Sequence, residues 1–271
     1  MNKKVILTGI LTGIMTLFLT ACGSNNMWEG EEKTIEMSDR IITEDVEVGW
    51  ELDNNQASGK GTQIRLHITN NDEPIHDFEV NHEKLLHLII VSKDLSYFNH
   101  VHPEYKGKGV FEIENEFPAG GEYRMVADFK PSDGSSMSKM TWIDVEGKTN
   151  QPAAVAVDNH LEKSVDGKTV KLSVDPQLEA GKELTLKFTL TDESTNQPIS
   201  DLEPYLGSIG HVVIFSEDGE RYLHVHAVDD QGSGPEALFE TTFPESGVYK
   251  IWGQFQKDGE VFTVPFVIQV P

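Results

Sequence analysis

Residues 87–102 read HLIIVSKDLSYFNHVH, and residues 211–226 read HVVIFSEDGERYLHVH. Both keep His, then Ser-x-Asp, then His-Val-His, at one spacing with no gap. The likeness extends on either side. Ile64-Arg-Leu-His-Ile-Thr-Asn answers Leu184-Thr-Leu-Lys-Phe-Thr-Leu-Thr, and Glu73-Pro-Ile answers Gln197-Pro-Ile. Phe117-Pro-Ala-Gly-Gly-Glu-Tyr answers Phe243-Pro-Glu-Ser-Gly-Val-Tyr. A chain that repeats over blocks of this size folds as two like units, each long enough to bury a core.

Each block is made of short alternating segments divided by turn signals such as Asn-Asn-Asp, Pro-Ala-Gly-Gly and Asp-Gly. No stretch after Cys22 holds a helical period. Strands of this length and spacing predict an all-β chain with two tandem immunoglobulin-like β-sandwich domains. The F-P-x-x-G-x-Y element predicts a tyrosine corner in each, at Tyr123 and Tyr249. The expected organisation is a signal peptide over 1–21, a tether over 22–36, domain 1 over 37–148, a linker over 149–158 and domain 2 over 159–271.

The leader carries Lys3 and Lys4 before the apolar run 5–19, too short for a membrane span. Leu19-Thr20-Ala21-Cys22 resembles the lipobox of bacterial lipoproteins. The resemblance implies cleavage before Cys22, lipid on that cysteine and anchoring at the outer face of the cell membrane. An ordinary secretory signal with an incidental cysteine is the alternative. Cys22 is the single cysteine, which excludes disulfides, thiolate metal sites and a cysteine nucleophile from the folded part. Formal net charge is −23, and loss of Lys3 and Lys4 makes it −25. Such a surface argues against nucleic acid as a partner. The expected partners are the membrane, through Cys22, and an envelope protein.

The histidines carry the functional reading. Centring a hairpin turn on Asp218-Gly219 opposes His211 to His226 and sets His224 on the same face. The same geometry opposes His87 to His102, with His100 alongside. Three imidazoles on neighbouring strands can converge on one ion, so His87, His100 and His102, and again His211, His224 and His226, are candidate metal ligands. Neutral imidazoles suit copper, zinc or nickel, with copper favoured over zinc. The alternatives are a non-catalytic structural or protein-interaction module of the cell envelope, with the histidines in a hydrogen-bonded packing cluster, and a pH- or ligand-responsive surface. Met125, Met137 and Met140 are expected to fill core, Asp94 and Asp218 to build turns, and His67, His76 and His82 to occupy surface or loops. No phosphate loop, nucleophile elbow or zinc-protease motif is present, so no enzymatic role is expected.

The pattern Ala180–Asp192, followed by Gln197-Pro-Ile-x-Asp-Leu, His211–Asp218 and Phe243–Phe255, resembles the YtkA-like and FixH-like domains of bacterial envelope proteins. The resemblance implies an immunoglobulin-like fold, an extracytoplasmic location and association with copper handling or oxidase assembly. The first block lacks the opening Ala-Gly.

Overall fold

The computed structural model describes residues 41–53 and 58–271, the side chains of His224 and His226 excepted. The leader, Cys22 and the tether lie outside the described residues. No helix among those described is long and apolar enough to cross a membrane.

The first module holds β1 (Val46–Leu52), β2 (Gly61–Asn70), β3 (Glu73–Pro74), β4 (Phe78–Glu79), β5 (Leu86–Ser92), β6 (Phe98–Val101), β7 (Glu104–Gly107), β8 (Val110–Glu116), β9 (Gly121–Pro131) and β10 (Met137–Val145). The second holds β11 (Glu162–Val165), β12 (Lys168–Asp175), β13 (Glu183–Asp192), β14 (His211–Ser216), β15 (Tyr222–His224), β16 (His226–Ala227), β17 (Glu236–Thr242), β18 (Gly247–Lys257) and β19 (Glu260–Val270). One sheet of the first module runs β1-β2-β8-β7 and the other β10-β9-β5-β6. The second repeats the plan as β11-β12-β13-β17-β16 and β15-β14-β18-β19. The chain crosses between sheets rather than meandering, which is the immunoglobulin-like topology.

Alternation places the cores. In β2, Ile64, Leu66 and Ile68 point inward, and in β13 Leu184, Leu186, Phe188 and Leu190 do the same. Met125 and Met137 join the first core, whereas Met140 is exposed. Both tyrosine corners are formed. Tyr123 Oη donates to Ala119 O at 2.8 Å, and Tyr249 Oη donates to Glu245 O at 3.0 Å. Phenylalanine at either position leaves a carbonyl without its donor, and is expected to cost about 1–3 kcal/mol. Urea unfolding checks this: the midpoint falls while the slope holds.

Alternation fails in β5 and β14, where residues of both faces are buried. A strand buried on both faces reads as a continuous apolar run. Leu86, Leu88 and Ile90 enter the first core, and Val212 and Ile214 the second. The opposite faces meet each other. Ile89, Val91, Leu95 and Val126 form one cluster with Val213, Phe215 and Trp252. Phe98 stacks on Trp252 with centroids 4.9 Å apart. The two modules therefore pack sheet against sheet. Polar bonds cross this seam: Tyr222 Oη donates to Asp128 Oδ2 at 2.9 Å, Arg124 pairs with Glu220 at 3.1 Å, and Lys250 Nζ donates to Leu95 O at 2.7 Å.

The hairpin registers are as expected. Ile89 pairs His100, and Val213 pairs His224. Gly219 sits at φ +71°, the left-handed geometry its turn requires. Asp94 and Asp218 build the turns. Asp94 accepts from Ser92 Oγ at 2.6 Å and Ser96 N at 3.1 Å. Its burial opposes ionisation, but these bonds and one from Ala153 N outweigh it and hold the pKa at about 2.

Candidate metal centre

His87 lies on β5 beside Asp128 of β9, and His211 lies on β14 beside Gln254 of β18. Paired residues in a ladder share a face, so these four point outward from their sandwiches and into the seam. His100 comes from β6, and His102 follows where the chain leaves β6 for β7. Ligand atoms of His87, His100 and His102 lie within 4.8 Å of one another. His87 is 3% exposed, His100 9% and His211 6%, so the imidazoles are largely out of water.

In the second histidine set the backbone pairing of His226 departs from the expected register, and the side chains of His224 and His226 lie outside the description. The β14–β15 ladder ends at Val213–His224, and His226 pairs Glu240 of β17 in the facing sheet. His211 and His226 are thus not ladder partners, because the chain changes sheets at Val225. Nor does His211 stand apart from the first module. Its ring centroid is 4.9 Å from His100 and 5.7 Å from His87, while spacings inside the first trio are 4.9–5.2 Å. Among the described side chains, the histidines of both modules gather at the seam. His82, expected at the surface or in a loop, lies in a turn and joins the cluster with its centroid 5.5 Å from His211. It occupies a tight turn with Glu83, both at positive φ, closed by Asn81 and Lys84. That is an uncommon backbone for non-glycine residues. His67 is half-buried 3.3 Å from Glu51, and His76 is exposed.

Hydrogen bonds set the tautomers. His87 Nε2 is 2.9 Å from Asn81 O, a carbonyl that only accepts, so Nε2 carries the proton. His100 Nδ1 is 2.8 Å from Gln254 Oε1, which makes Nδ1 the donor there. With the Gln254 amide in this orientation, the inner atoms His87 Nδ1 and His100 Nε2, 3.0 Å apart, both present lone pairs. Two nitrogens on one ion at about 2.0–2.1 Å, set roughly at right angles, stand about this far apart. His102 Nε2 is buried with no hydrogen-bond partner.

Burial lowers the His100 pKa to about 3; Gln254 opposes this, and His87 and His102 add to it. Burial, then His87 and Lys84, lowers that of His102 to about 4. Both are therefore neutral at physiological pH, the form that binds a metal. The linkage follows. Unfolded histidine titrates near 6.5, so below that pH the unfolded chain binds more protons than the folded one. Stability is full above pH 6.5 and is lost as pH falls through the window down to about 3. For His100 alone the slope is about 1.4 kcal/mol per pH unit. Urea midpoints in chelator at pH 7, 6 and 5 measure it, with His100→Gln expected to flatten the fall.

Asp128, Gln254, Tyr222 and His82 were not among the sequence candidates. The continuous apolar runs around His87 and His211 were the one signal that their faces would be covered.

Fold and site together define a class: a tandem immunoglobulin-like sandwich with a histidine-lined seam between its modules. The chain belongs to the family described as a domain of unknown function (DUF8832), whose model matches twice, over residues 42–147 and 163–271. Neither match is to YtkA-like or FixH-like domains. No curated protein matches. Among solved structures it is similar to invasin, a bacterial integrin-binding protein, at 10% identity and TM-score 0.25, covering 81% of this chain and 39% of that one. A two-domain fibronectin type-III segment of chicken tenascin aligns at 14% identity and TM-score 0.23, covering 82% of this chain and 97% of that one. The titin domains Z1Z2 in complex with telethonin align at 12% identity and TM-score 0.21, covering 83% and 96%. These likenesses say nothing of function.

Proposed function

We propose that this chain is a lipid-anchored protein of the bacterial cell envelope that binds a transition metal, copper before zinc, for buffering or delivery rather than catalysis. The reading rests above all on one observation: His102 Nε2 is buried and lacks a hydrogen-bond partner beside the 3.0 Å approach of His87 Nδ1 to His100 Nε2. A buried polar atom left in that state costs free energy, which a ligated ion would recover. Asn81 O and Gln254 Oε1 are outer acceptors of the kind that orient ligating histidines. The donors are all-imidazole and without thiolate, which suits copper or zinc. The motif likeness to YtkA-like and FixH-like domains is the reason copper ranks first. Anchoring and location rest on the lipobox-like Leu19–Cys22.

One observation favours a packing role for the same histidines. Were the Gln254 amide turned over, its NH2 would donate to His100 Nδ1, and His100 Nε2–H to His87 Nδ1. The 3.0 Å contact would then be an ordinary hydrogen bond. Calorimetric titration of the untagged chain from residue 23 onward separates the two. Sub-micromolar Cu(II) or Zn(II) binding that His102→Ala abolishes supports the metal reading. Absence of such binding removes it. Nitrogen NMR of the metal-free rings gives the His100 tautomer directly.

A further inference from the structure

We infer that the ion is held once per chain, at the seam, with the second module supplying Gln254 and His211 to the first module's trio, so that metal occupancy and module docking are linked. The inference rests on the metal-binding reading above and deepens it. His100 is the bridge. One of its nitrogens faces His87 of its own module, and the other faces Gln254 of the second at 2.8 Å. A ligating imidazole is held in its tautomer by the acceptor on its far nitrogen. For His100 that acceptor is present only while the modules are packed together.

His211 arrives on the same ladder, opposite Gln254. Rings bound to one ion through nitrogens about 2.0–2.1 Å from it have centroids roughly 5 Å apart. His211 stands 4.9 Å from His100 by that measure, so the second module brings an imidazole against the trio. Charge points the same way. Asp128 is 3% exposed, pairs with His87 in the ladder, and bonds across the seam to Tyr222. A buried carboxylate beside imidazoles favours a cation placed among them. The repeat itself is unequal here. Asp128 follows Tyr123 by the interval at which Gln254 follows Tyr249, so one module brings a carboxylate and the other an amide. That asymmetry fits one shared centre better than two like ones.

Native mass spectrometry and competition titration with Cu(II), and separately Zn(II), test this on the untagged chain from residue 23 onward. The expected result is one ion per chain at high affinity. Gln254→Leu and His211→Ala are each expected to weaken it about 10–100-fold. Gln254→Glu, which keeps an acceptor toward His100 Nδ1–H, is expected to stay within about threefold of wild type. A merely structural glutamine would not sort leucine from glutamate by metal affinity at equal far-UV circular dichroism. Should Gln254→Leu fail to fold, His211→Ala and Gln254→Glu carry the test. Two equal ions per chain would overturn the shared centre. So would affinity unchanged in both seam variants while His102→Ala abolishes binding. Wild type binding no ion at all is a different failure, that of the metal reading itself.

Discussion

Aspartate at position 90 is expected to unfold the first module, whereas aspartate at position 89 is expected to part the two modules and leave each folded. The residues are neighbours on β5, and both are 0% exposed. Their side chains leave opposite faces of the strand. Ile90 packs in the first core with Leu88, Met125 and Phe129. A carboxylate there has no route to water short of opening the sandwich. Its desolvation, several kcal/mol, is a large share of the roughly 5–15 kcal/mol that holds a domain together. Ile89 packs against Val213, Phe215 and Trp252 of the other module. A carboxylate there regains water if the seam opens, which leaves both cores intact. Circular dichroism and small-angle scattering separate the outcomes. Ile89→Asp should keep the wild-type strand signal and show a larger radius of gyration; Ile90→Asp should lose much of the signal. Two variants that behave alike would mean that the seam and the cores do not act as separate cooperative units.

Copper at about a hundredfold excess over its dissociation constant is expected to stabilise the wild-type chain by about 2.7 kcal/mol. For a chain of this size that raises the melting temperature by about 5–10 °C. Chelator should return it to the metal-free value. His100→Ala with His102→Ala should remove the increment altogether. The double variant starts lower even without metal, because it deletes two packed rings. The informative quantity is therefore the shift with metal against the shift without, not the absolute temperature. A packing role alone predicts the opposite pattern, with large destabilisation in the variant and no response to metal or chelator in either protein.

Much of the fold was legible because its rules are local. Period-two burial in β2 and β13, the Asp218-Gly219 turn and the tyrosine corners each depend on a few consecutive residues. Within the site, the His100 register followed from the turn centre. The pairing of His211 with His226 did not, because that inference extended one hairpin past the point where the chain changes sheets.

By itself, then, the sequence determined two β-sandwiches, their hairpin registers, and the gathering of His87, His100 and His102 at one end of a sheet. Only the tertiary structure decided that the modules pack through those sheets. It also decided that His211 and Gln254 meet the first module's histidines, that Tyr222 bonds to Asp128, and that a turn residue, His82, joins the cluster. The reason is physical. A strand whose second face is covered by another module reads the same as one buried within its own. Which surfaces meet depends on shape and burial summed over residues more than a hundred positions apart in the chain.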